Sequence, residues 1–98
     1  MPEQIGIAAL LRQLRAERGD SLREAARNLN VDVAHLARVE KGEKFPSVDL
    51  QQRASNYYEA DPDTLALASD RLPDDVVRLL LDRPDLIREL RAKYGDHG

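Results

Sequence analysis

The stretch SLREAARNLNVDVAHLARVEKG, Ser21 to Gly42, decides how the chain folds. Ser21 is followed three residues later by Glu24. At that spacing a hydroxyl takes an orphan amide at a helix start and a carboxylate reaches back to the cap. Leu22, Ala25, Ala26 and Leu29 then recur on one helix face. Asn30 interrupts them, being one of the few residues that tolerate a left-handed backbone. Asp32 is expected to cap a second helix from Val33 to about Lys41, with Leu36 and Val39 inward and Gly42 as its stop. The pattern predicts two short helices joined by a three- or four-residue turn. The small side chain of Ala26 leaves room for them to cross closely.

On both sides of this stretch, period-3.6 apolar spacing dominates and strand-like alternation is nearly missing, so an all-α chain is expected. A first helix is predicted over Glu3–Arg18, with Ile7, Leu11 and Leu14 on one face and Gly19 as its stop. A fourth is predicted behind Ser47, with Asp49 in its first turn, and carries Val48, Leu50, Ala54 and Tyr57 or Tyr58 as its apolar residues. The run ADPDTLALA starts a fifth, capped by Asp61 with Pro62 at its first position. Two further short helices begin at Pro73 and Pro84. Asp74, Asp75, Asp82 and Asp85 read as helix-start carboxylates rather than a catalytic pair or a cation site. Asp96 to Gly98 reads as a frayed tail. Residues 1–69 form one expected unit and 70–98 a C-terminal helical extension.

With 98 residues, the chain suits one compact domain. It has no cysteine, so no disulfide framework or thiolate metal site is available, and a reducing, cytoplasmic setting is expected. No apolar run approaches the roughly 20 residues of a membrane span, and no signal-peptide pattern is read. Net charge is −3, unevenly spread. Met1–Pro46 holds eight Lys/Arg against seven Asp/Glu, whereas Ser47–Gly98 holds seven against eleven. The first half is therefore the one to face an anion. His35 and His97 are the only histidines, which makes a metal site an unfavoured reading, and no cofactor is expected. No nucleophile–base pairing or phosphate-cradling glycine loop is legible, so an enzyme is not expected.

Two short helices with this turn, behind a longer first helix, form the plan of a helix-turn-helix. From Leu11 to Leu65, without a gap, the chain resembles the Cro/phage-repressor (XRE-type) helix-turn-helix family. The strongest part is LARVEKGEKFPS, Leu36 to Ser47. The resemblance implies a five-helix lambda-repressor-like domain with a short helical extension. It also implies a loop, Lys41, Gly42, Lys44 and Phe45, that lies on the DNA backbone, and a structural ion pair between Arg15 and Glu40. Base readers are expected at Val33, Ala34, His35, Ala37 and Arg38, on the outward face of the third helix. Two positions depart from the family pattern. Leu22 stands where glutamine is common, and Asp20 where an apolar residue is common. Ser21 and Arg23 are expected to take over the helix-two backbone contact. Arg12 and Arg27 read as ordinary surface charges.

The function these features imply is that of a double-stranded-DNA-binding transcription regulator, most often a repressor in the resembling proteins. It is expected to bind an inverted repeat as a homodimer. Leu80, Leu81, Leu86, Ile87, Leu90 and Tyr94 are the expected dimerisation residues, with core closure as the alternative role. The competing functional reading is a protein-interaction module, an antitoxin-like or adaptor protein that turns its C-terminal helices to a regulatory partner protein.

Overall fold

The ends of the helices lie where short polar side chains can hold the backbone. The computed structural model describes residues 6–95. Among them run α1 (Ile7–Arg18), α2 (Leu22–Asn28), α3 (Val33–Glu40), α4 (Val48–Tyr58), α5 (Pro62–Ala68), α6 (Asp74–Asp82) and α7 (Asp85–Tyr94), with no strand. At α2 the Glu24 amide donates to Ser21 Oγ at 3.1 Å, and the Ser21 amide donates to the Glu24 carboxylate at 3.4 Å, so the reciprocal cap forms. Ser47 Oγ accepts from the Leu50 amide at 3.0 Å. Asp61 accepts from the Asp63 amide at 3.2 Å and from Thr64 Oγ1 at 3.1 Å. Gly19, Asn30 and Gly42 all take left-handed backbone angles, as the stop signals require. Glu59 and Asp70 do so too, at φ 54° and 58°, without a glycine to announce it.

Several expectations need correction. Gly6 is extended and α1 starts at Ile7, so the first helix does not include Gly6. Glu3–Ile5 and the tail Asp96–Gly98 lie outside the described residues. Asp32 occupies the cap position of α3, but its side chain makes no capping hydrogen bond. Helix α3 itself runs from Val33 to Glu40 with Lys41 as its C-cap, in agreement with the expected end at about Lys41. Of the apolar residues expected on α4, Val48 is 67% exposed. It lies two residues, about 200° of rotation, before Leu50, and Leu50 and Ala54 take the inward line. Asp82 ends α6 instead of starting a helix.

The core is built from α1 to α5. Ile7, Leu11, Ala25, Ala26, Leu29, Leu36, Val39, Leu50, Ala54 and Leu65 form one buried cluster. Leu14, Leu22, Val31 and the two tyrosines pack on its edge. Helix α1 touches α3, α4 and α5, α2 touches α3, and α4 touches α5. Ala25 and Ala26 are buried where α2 meets its neighbours, which is why that helix needs methyl groups rather than larger side chains.

Helices α6 and α7 pack on each other, and no residue of either is buried. Leu81 is 74% exposed and Tyr94 72%, with Val77, Leu79, Ile87 and Leu90 also open to solvent. Leu80 and Leu86 are half-buried. The described chain is long in outline, 45 × 29 × 23 Å, with a radius of gyration of 15.7 Å. A compact chain of this size has about 13 Å. A five-helix body therefore carries an outlying helical pair.

Candidate nucleic-acid interface

The position of α3 is set by arginines from α1 and α4. Arg15 Nε donates to both carboxylate oxygens of Glu40, at 3.0 and 2.9 Å, and its Nη2 lies 2.9 Å from Oε1. Glu40 is buried, and its hydrogen bond is the main cause of the raised Arg15 pKa. Arg12 Nη1 donates to the Glu40 carbonyl, so two arginines of α1 hold the end of α3. Arg12 is thus engaged, not the free surface charge expected of it. From α4, Arg53 donates to the Asn30 carbonyl at 3.0 Å and the Leu29 carbonyl at 3.3 Å, while pairing with Asp49 at 2.5 Å. It clamps the turn between α2 and α3. Within that turn the Val31 amide donates to the Ala26 carbonyl at 2.9 Å.

Asp20, one of the two departures from the family pattern, has a structural use. The Tyr57 hydroxyl donates to its carboxylate, and Asn28 Nδ2 donates to the same hydroxyl at 2.9 Å. The Arg18 guanidinium lies 4.2 Å from the Tyr57 ring centroid and donates to the Tyr57 carbonyl at 3.0 Å. The group ties the ends of α1 and α2 to α4. Neighbouring Tyr58 has its ring against Tyr57 and a buried hydroxyl without a partner among the described residues. Burial, with Glu40 and Asp20 nearby, pushes its pKa up to about 12.

Outside this frame, Val33 and Ala34 are exposed at the start of α3, Arg38 is exposed near its end, and His35 and Ala37 are half-buried. The loop after α3 exposes Lys41, Gly42, Lys44 and Phe45, with Phe45 63% exposed over fully buried Pro46. The Gly42 amide donates to the Val39 carbonyl at 3.1 Å and the Glu43 amide to the Arg38 carbonyl at 3.0 Å. These two amides close α3, so Gly42 serves the loop by its left-handed turn rather than by a free N–H. Ser21 Oγ likewise spends its acceptor on the α2 cap.

Charge pairing separates the cations of the body into two sets. Arg12, Arg15, Arg18 and Arg53 are all bonded within the fold. Arg23, Arg27, Arg38, Lys41 and Lys44 lie on α2, α3 and the following loop, exposed, and none has an ion pair or side-chain hydrogen bond among the described residues. Arg27, set aside in the sequence, belongs with the free set. It lies one turn after Arg23 on the same helix. Three exposed carboxylates share the region: Glu24 in its cap, Asp32 and Glu43. No group of three or more potential metal-binding side chains is found among the described residues. No helix among them is long and apolar enough to cross a membrane.

An all-helical body with a short-turn helix pair, one helix of which has an exposed face beside free cations, defines a class. The family model for the helix-turn-helix domain matches residues 7–68, and the chain belongs to that family. Among solved structures it is similar to the crystal structure of the clp gene regulator ClgR from Corynebacterium glutamicum, with 26% sequence identity and a TM-score of 0.58. That match covers 92% of each chain, so it takes in the outlying helices as well as the body. Against curated proteins no significant match is found.

Proposed function

We propose that the protein is a sequence-specific double-stranded-DNA-binding transcription regulator that occupies an inverted repeat as a homodimer in the cytoplasm. The observation that carries this reading is the division of the cations. Arg12, Arg15, Arg18 and Arg53 are bonded within the fold, while Arg23, Arg38, Lys41 and Lys44, on α2, α3 and the loop after it, are exposed and unpaired among the described residues. Val33, Ala34, Ala37 and Arg38 read base edges, with His35 beside them, as the second helix of such a pair does in the major groove. Arg23, Lys41 and Lys44 hold phosphates, with Ser21, Gly42 and Phe45 shaping the contact surface. Repression is the simplest outcome, because occupying the site is enough to produce it. The regulatory part is further supported by similarity to a protein described as a gene regulator.

Pairing rests on α6 and α7, where Leu81, Ile87, Leu90 and Tyr94 are exposed and Leu80 and Leu86 are half-buried. Together with Arg83 between them, the two helices carry five acidic and five basic residues, so a second copy meets no net repulsion. Two copies then match two half-sites.

The experiment is duplex-DNA binding measured from 50 to 200 mM salt. Three phosphate contacts per protomer, six per dimer, give a log–log slope of about −5. Lys41→Ala lowers the slope magnitude by about 2 per dimer, one contact being lost in each protomer. A salt-independent affinity, or no binding at 50 mM salt, overturns the proposal.

A further inference from the structure

α3 is poor in hydrogen-bonding groups. Val33, Ala34 and Ala37 have none, and His35 is half-buried. Four helices have an oxygen-bearing side chain at the N-cap, and three of these oxygens are spent on backbone amides: Ser21, Ser47 and Asp61. The fourth is Asp32. It holds the extended backbone of a cap, at φ −64° and ψ 135°, yet its exposed carboxylate bonds to no amide and to no cation among the described residues. The positive end of α3 lowers the cost of that charge without using its lone pairs.

Resting on the proposed function, we infer that Asp32 is a specificity-determining residue: its carboxylate accepts a hydrogen bond from the exocyclic amine of a cytosine in the major groove. A carboxylate is acceptor-only, and among major-groove edges cytosine N4 is the donor that aspartate suits. Arg38 has the opposite character, a fork of donors matched to guanine O6 and N7. The two residues are six positions apart, about 9 Å along the helix axis. Six positions also turn the helix by about 240°, so the two side chains leave it in different directions and meet different base pairs. Val33 and Ala34 follow directly on Asp32 and suit thymine methyls nearby. Each half-site thus holds a G·C pair read from its cytosine by Asp32, and a second read from its guanine by Arg38.

A carboxylate among phosphates also repels, and the test separates that effect from base reading. Duplexes are selected from random DNA by the full chain and by its Asp32→Ala and Asp32→Asn variants, and salt slopes are measured. The wild type is expected to fix both a cytosine and a guanine in each half-site. Asp32→Ala is expected to lose the cytosine preference by about tenfold, keep the guanine column and leave the salt slope unchanged. Asp32→Asn retains the side-chain shape and capping capacity, so it reports even if the alanine variant folds poorly. It is expected to move that column towards adenine. Unchanged motifs in both variants, or tighter binding by Asp32→Ala to all sequences alike, overturn the assignment while leaving the proposed function standing. A wild type that selects no duplex overturns both.

Discussion

Tyr58 shows what one buried hydroxyl costs when it has no partner among the described residues. It is half-buried beside Glu40 and Asp20, two carboxylates already engaged with Arg15 and Tyr57. Ionising it there is unfavourable, so its proton is held to about pH 12, against about 10 in an unfolded chain. A pKa raised in the folded state gives stability that is complete below pH 10 and lost as pH rises through 12. Tyr58→Phe removes an unsatisfied group. It is expected to leave stability at neutral pH unchanged or raised by up to about 1 kcal/mol. The variant should also lose less stability than wild type between pH 10 and 12. Urea unfolding across pH measures both, and a destabilisation above about 1 kcal/mol would mean that the hydroxyl has a partner.

At the scale of elements, α3 is held at its end by Arg12 and Arg15 and at its leading turn by Arg53. Glu40→Ala leaves the partly exposed Arg15 without its carboxylate and is expected to cost about 2 kcal/mol, below the range for fully buried pairs. Arg15→Met with Glu40→Leu should recover most of that loss, because an apolar pair of similar volume avoids desolvating two charges. Thermal unfolding of both variants checks this, and a double variant as unstable as the single one would sink it. Much of this element was legible in sequence. Ser21 with Glu24, Asn30 and Gly42 are local signals, and each spans a few residues. Arg15 with Glu40 came through resemblance. Arg12, Arg53 and the Asp20–Tyr57–Asn28 group were not legible, because their bonds join residues 23 to 37 positions apart and have no periodicity to betray them. The outward direction of Val48 was not legible either, because an apolar residue at the first position of a helix looks the same whether it faces inward or out. The free carboxylate of Asp32 was misread for a related reason: residue type announces a cap, but only coordinates say whether the bond is made.

At the scale of the whole molecule, the body and the outlying pair respond to substitution differently. Leu81 and Leu90 are exposed in the single chain, so Leu81→Glu with Leu90→Glu is expected to change the stability of the body by no more than about 0.5 kcal/mol. The same change places charges on the face proposed for pairing, and the solution mass should fall from that of a dimer to that of a monomer. Sedimentation equilibrium reads the mass, and a monomeric wild type, or a variant that remains dimeric, would refute this use of α6 and α7. DNA affinity of the variant should fall with it, since each monomer then engages one half-site alone.

The absence of any buried residue in α6 and α7 has a consequence for dilution. Isolated helices of nine or ten residues are marginal in water, so their amides should exchange with solvent deuterium early in a lone chain and late in a pair. Under the proposed pairing, association and local ordering become one event, and abundance in the cell would set how much of the population is equipped to grip two sites at once.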